Sequence, residues 1–155
     1  MKLFIFSSIT LFSFVLPSFA EDGFASIFNG KEGPKVKKEG TWTTFTGNGM
    51  SVKTEGNWQV QKDGSLFLDP RPGEKGWTRY GSYLWVTENY EDFVFEFEYQ
   101  HGKGGNSGLY FRIYDESDAT KHGFEVQILD CYGKKKLGQH DLGGVIQTAG
   151  PLTNA

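Results

Sequence analysis

Cysteine is nearly absent. Cys131 stands alone among 155 residues, which rules out an intrachain disulfide. A catalytic thiol would want a nearby histidine, so Cys131 reads instead as a small buried hydrophobe. An excess of basic charge is also missing. Sixteen Lys and Arg stand against 19 Asp and Glu, and the single lysine cluster, Lys134 to Lys136, suits a solvated loop, so nucleic acid is not an expected partner. No window of ten or more residues spaces its apolar side chains at three and four, and no repeat, heptad or proline-rich linker divides the chain. The three histidines lack the spacing of a zinc motif such as H-E-x-x-H, and Ser107 lacks a G-x-S-x-G elbow. No metal motif stands out, and the cofactor stays open.

What the chain does have is aromatic residues and glycine. Fourteen Phe, seven Tyr and four Trp supply the core material that disordered chains lack. The first 20 residues hold none of the 21 glycines, so the remainder carries roughly twice the average usage of about 7% and should be rich in turns. Those first 20 residues have their own character. Lys2 precedes an apolar stretch from Leu3 to Leu16, then Pro17-Ser18-Phe19-Ala20 and the acidic Glu21-Asp22. A positive start, an apolar centre short for about 30 Å of hydrocarbon, and small residues at 18 and 20 are the marks of a cleavable secretory signal. Residues 1–20 are therefore expected to be a signal peptide. The mature domain from residue 21 is expected to be secreted or periplasmic, with no membrane association after cleavage.

Period two dominates that domain. Phe93, Phe95, Phe97 and Tyr99 alternate with Val94, Glu96, Glu98 and Gln100; Leu109, Phe111 and Ile113 alternate with Tyr110, Arg112 and Tyr114; Phe124, Val126 and Ile128 alternate with Glu125 and Gln127. Each is the pattern of a half-buried strand. Trp58-Gln59-Val60 and Leu66-Phe67-Leu68 flank Asp63-Gly64, a hairpin turn signal, and Ser82 to Val86 reads as a further short strand. Residues Gly30 to Gly56 are polar and weakly patterned, with Lys35 to Glu39 expected at the surface. The glycine-rich connection Gly102 to Asn106 leads into a strand, not a helix N-terminus, and reads as a crossover with no phosphate role. Together these signals predict an all-β sandwich.

If the three alternating strands share one sheet, its outer face gathers Glu96, Glu98, Tyr110, Arg112, Glu125 and Gln127. An ordinary wet sheet face also carries polar groups, but this mixture suits sugar hydroxyls, which need paired donors and acceptors. Glu125 and Gln127 share a face by alternation, and a bulge at the strand end would bring Asp130 to it as well. The run resembles the carboxylate-x-carboxylate strand of jelly-roll glucanases with Gln127 in place of one carboxylate, which weakens a standard retaining mechanism and leaves Glu125 paired with Asp130 open. His140 is a candidate acid, base or metal ligand, or a plain surface histidine. Asn106 and Ser107, beside glycines at a sheet edge, suit either a ligand contact or a self-satisfied turn.

These residues, in order, carry a resemblance. Gly23-Phe24 with Ile27-Phe28-Asn29-Gly30-Lys31, Trp58-Gln59-Val60 with Asp63-Gly64, Tyr90-Glu91-Asp92-Phe93, Asn106 to Arg112 and Gly123 to Asp130 are similar to the 3-keto-disaccharide hydrolase family. The resemblance implies a concanavalin-like jelly-roll sandwich that is exported and acts on glycosides bearing a ketone at C3, a small-molecule carbohydrate substrate. Such a ketone acidifies the C2 proton, so one base can drive elimination of the C1 substituent, after which water adds. On this reading Glu125 is the general base, and Arg112 and Gln127 orient the sugar and stabilise the oxyanion. Tyr110, Asn106 and Glu98 bind substrate, and Asp130 and His140 are secondary catalytic candidates. Family members continue beyond the segment ending at Ala155, so residues 21–155 are expected to form the domain without its C-terminal strands. A non-catalytic carbohydrate-binding module or an inactive fragment is the alternative. The oligomeric state is left open.

Overall fold

A computed structural model describes residues 4–5, 9–11, 23–32, 36–37, 41–47, 51–69, 72–73 and 82–153. Strand outweighs helix by 29% to 5%, which makes the domain all-β as its alternating sequence predicts. The elements are β1 (Phe4–Ile5), β2 (Ile9–Leu11), β3 (Val36–Lys37), β4 (Thr41–Thr46), β5 (Ser51–Thr54), β6 (Trp58–Val60), β7 (Leu66–Leu68), β8 (Trp85–Val86), β9 (Gln100–His101), β10 (Asn106–Phe111), α1 (Ala119–His122) and β11 (Phe124–Leu129). The paired strands run in the orders β1-β10-β11, β6-β7-β2-β9 and β3-β4-β5-β8, every pairing antiparallel. The leader expected at residues 1–20 lies outside the described residues apart from β1 and β2. These pair with β10 and with β7 and β9.

The hairpin at Asp63-Gly64 forms as its sequence demands. Gly64 takes a φ of 84°, Gln61 and Ser65 close the turn through a 2.8 Å backbone hydrogen bond, and Asp63 Oδ1 accepts from both the amide and the hydroxyl of Ser65. Segment 30–56 departs from expectation. Its Thr-rich β4 pairs with β5 in the register Phe45↔Val52, and Phe45, Val52 and Thr54 are buried in the main core with Trp58, Leu66 and Leu68. Threonine suits a pleated strand despite its polarity, so a weak hydrophobic pattern conceals real strands here. Burying Phe45 alone is worth about 1.5–3 kcal/mol. Val36 and Lys37, expected in a surface segment, form β3 against β4; Lys35, Lys38 and Glu39 lie outside the described residues.

Alternation also sorts the central strands between two clusters. Leu84 and Val86 join the main core, while Tyr83 and Trp85 turn to the opposite side and pack with Tyr110, Ile113 and Ala119. Along residues 93–101, Phe95, Phe97, Tyr99 and His101 stack successively at 5.0, 5.9 and 5.9 Å between ring centroids, and Glu96 and Glu98 are exposed. β9, at the end of this run, pairs in a different sheet from β10 and β11, so the single shared sheet expected for all three runs is replaced by two. The expected strand through Tyr114 stops at Phe111. Arg112 adopts a left-handed φ of 53°, which breaks the period and sends Ile113 to the Tyr110 side, not to the core that holds Leu109 and Phe111.

Candidate active site

The antiparallel pairing of β10 with β11 builds the site. Its register sets Tyr110 opposite Glu125 and Gly108 opposite Gln127, so alternation brings Asn106, Gly108, Tyr110, Glu125 and Gln127 to one face. That face is not the wet surface its polarity suggests. Tyr110 and Gln127 are buried, Glu125 is half-buried, and Tyr83 lies over the phenol with 5.8 Å between ring centroids. The far side of β11 is also held. Gln127 N donates to Gly144 O at 2.8 Å, Gly143 N to Gln127 O at 2.9 Å, and Ile146 N to Glu125 O at 3.0 Å.

Glu125 is the chemical centre of this face. Tyr110 donates its phenolic hydrogen to Glu125 Oε2 at 2.6 Å, the length of a charge-assisted bond. The other end of the carboxylate leans over Gly108, where a Cβ would stand only 2.1 Å from Oε1. Burial raises the carboxyl above its ordinary value, and the Tyr110 hydrogen bond opposes that rise without cancelling it. Burial, reinforced by the hydrogen bond to Glu125 and its charge, holds the Tyr110 proton far above the ordinary phenol range. The pair is thus a half-buried carboxyl raised above its ordinary value beside a phenol that keeps its proton.

The remaining sequence candidates have other surroundings. Asp130 accepts from Gly104 N at 2.8 Å and Tyr132 N at 3.2 Å, and these amides hold its carboxyl below the usual range. It follows β11 directly, and its two oxygens tie the loop that enters β10 to the loop that leaves β11, at one end of the pair. Arg112 reaches away to Glu91 O at 3.3 Å and to Asp92 at 3.9 Å, both ends of the ion pair being exposed. Gln127 Oε1 accepts locally from Ile128 N at 3.2 Å. Asn106 is exposed on the Glu125 face but four residues from Tyr110, about 13 Å along the strand. Glu98 lies exposed on the 93–101 run, and His140 is exposed in the turn closed by Asp141 N and Gly138 O at 3.1 Å. Glu125, Tyr110 and Gln127 are therefore the sequence candidates that the structure brings together.

A family model described as a 3-keto-alpha-glucoside-1,2-lyase-like domain matches residues 23–155. The chain belongs to this family. No curated protein and no solved structure gave a match. As a member of the 3-keto-alpha-glucoside-1,2-lyase-like family the chain is a carbohydrate-active domain, and its substrate class is a small-molecule sugar. No helix among the described residues is long and apolar enough to cross a membrane.

In this lyase-like domain a second polar centre lies beside His140. Its neighbour Asp141 is buried and receives Lys134 Nζ on both oxygens at 2.8 and 2.6 Å, Gly138 N at 2.7 Å and the Cys131 thiol at 3.3 Å. Lys134, followed by these hydrogen bonds, pulls the carboxyl down to about 2. Cys131 also accepts from Leu142 N at 3.4 Å, and burial pushes its thiol up. The small residue expected to be buried at 131 is buried, but it has polar partners. Gly138 three residues before Asp141 is the available sequence signal, since an Asp side chain can turn back on a nearby backbone amide. Tyr83 carries no such signal, because alternation along one strand does not say which element covers its face.

Proposed function

We propose that this domain cleaves 3-keto-glycosides by β-elimination, with Glu125 as the base. The observation that carries this reading is the environment of Glu125. It is half-buried, raised above its ordinary value, and among the described residues Tyr110 is its side-chain hydrogen-bond partner. Hydrolysis by paired carboxylates needs two such groups across one bond, separated by about 5–9.5 Å according to stereochemistry. Elimination needs one. Glu125 takes the proton from C2, the electron pair of that bond passes into the C3 ketone as an enolate, and its return expels the oxygen substituent at C1. The product is a C1=C2 double bond conjugated to the ketone, and the departing oxygen takes up a proton. Addition of water at C1 completes a net hydrolysis. A raised carboxyl suits proton removal near neutral pH, because efficiency peaks when the base titrates near the working pH.

In this reading Gln127, on the same face as Glu125, orients the sugar and meets the enolate oxygen, while Arg112, Asp130 and His140, held by other partners or in other loops, stand outside the elimination step. The exported, signal-bearing chain and the jelly-roll closure of its sheets follow from the family resemblance and the leader composition. The test is direct. The protein is incubated with a 3-keto-disaccharide and with its unoxidised parent, in solvent deuterium. Loss of the C2 proton together with release of the C1 substituent from the keto form alone is expected. Cleavage of both substrates, or binding of both with no release, sinks the reading, the latter in favour of a carbohydrate-binding module.

A further inference from the structure

Glycine in the middle of a strand is unfavourable unless another group must come close to its backbone. Gly108 is the third residue of the six-residue β10, it is buried, and the group that comes close is Glu125. A Cβ at 108 would stand 2.1 Å from Oε1 and 2.8 Å from both Cδ and Cγ. The side chain of Glu125 therefore lies flat along the pair, diagonally from its own position opposite Tyr110 toward Gly108. Tyr110 then holds the opposite oxygen at 2.6 Å. One oxygen is fixed by a bond and the other by a space.

We propose that Gly108 and Tyr110 together form the seat of the Glu125 carboxylate, Gly108 by leaving its backbone bare beneath Oε1 and Tyr110 by donating to Oε2. Both are positioning residues for the base. The inference rests on Glu125 being that base. Tyr110, assigned above to substrate binding, here acts through Glu125. Among the described residues the titratable groups acting on the carboxylate are Tyr110 on β10 and, through Tyr110, Tyr83 from the segment leading into β8.

The seat is tested without turnover first. With 13C-carboxyl-labelled glutamate, the Glu125 resonance is assigned by its disappearance in E125Q and titrated in the full chain. In Tyr110→Phe, which keeps the ring and loses the donor, the midpoint is expected to rise by about one pH unit. The atoms nearest a Cβ in Gly108→Ala belong to the flexible Glu125 side chain, so the variant is expected to fold and to displace the carboxylate from the phenol. Its midpoint is then also expected to rise, and adding Y110F to G108A is expected to change little further, because both act on one bond. On a 3-keto-glycoside the acid limb of kcat/KM is expected to move with the titration in each variant. An unmoved midpoint in Y110F, or additive shifts in the double variant, overturns the seat. So does an acid limb that stays in place while the titration moves. Wild-type protein that shows the titration pattern yet cleaves no 3-keto-glycoside overturns the functional reading and leaves the seat standing.

Discussion

Glu125 and Asp141 are both withdrawn from water, and the fold treats them in opposite ways. Asp141 receives a lysine on both oxygens, a backbone amide and a thiol, and its carboxyl falls to about 2. Glu125 receives one phenol, and burial raises it. Burial alone does not mark a carboxylate for chemistry; the supply of donors decides. A fully supplied anion holds a loop together and has no reason to take a proton. An undersupplied one is costly to charge, which is the property the proposed base role of Glu125 draws on.

The largest effect that sharpens this contrast is expected at Glu125. Glu125→Gln should lower turnover of a 3-keto-glycoside by between about a hundred- and ten-thousandfold. The melting temperature should hold or rise, because the amide removes a charge that burial disfavours. A comparable loss of melting temperature would put Glu125 among the structural carboxylates. Asp141→Ala should do the reverse, lowering the melting midpoint by roughly 5 °C or more while turnover at a temperature well below it is largely kept. Calorimetry and an activity assay on the same samples separate the two outcomes.

The pH dependence of stability should carry opposite signs at the two positions. Asp141 falls on folding from its ordinary 3.8 to about 2, so its contribution is complete above pH 3.8 and is lost as pH falls through about 2. Glu125 rises on folding from its ordinary 4.5, so its stability is present below that value and declines as pH rises toward the folded midpoint. Urea melts at stepped pH should show a flatter acid limb in D141N and a flatter decline above pH 4.5 in E125Q, each relative to wild type. Interchanged slopes would break the comparison. The smallest effect is expected for Lys134→Met. The lysine is half-exposed and Asp141 keeps Gly138 and Cys131, so the melting point should fall by only about 2 °C while the Asp141 carboxyl moves back toward its ordinary value.

Much of the central pair was legible in the sequence. Strict alternation gave β10 and β11, and with them a face shared by Tyr110, Glu125 and Gln127; Asp-Gly gave the hairpin between β6 and β7. Other features left weaker marks. The strands at Thr41–Thr46 and Ser51–Thr54 were hidden by threonine, whose shape favours strands while its hydroxyl blurs the apolar pattern. Alternation sets Arg112 on the Glu125 face, because arginine rarely signals a left-handed backbone, and one such residue reverses every side that follows. Tyr83 and Trp85 were read only as a strand, since period two fixes two faces without saying what each will meet. Asp141 stands out little in the sequence beside His140, because its burial and its three donor groups are set by loop closure and not by composition.

The pairing of Tyr110 with Glu125 also limits how this sequence can vary in length. Side chains alternate, so inserting or deleting one residue within β10 or β11 would put Phe124 or Val126 opposite the phenol and turn the carboxylate into the core. Substitutions along these strands can be absorbed one at a time; a single-codon slip cannot. Among related sequences, gaps should therefore collect in the connections at 102–105 and 112–123 and avoid the six-residue strand that follows each, and a deletion scan read by growth or turnover would draw the same boundary.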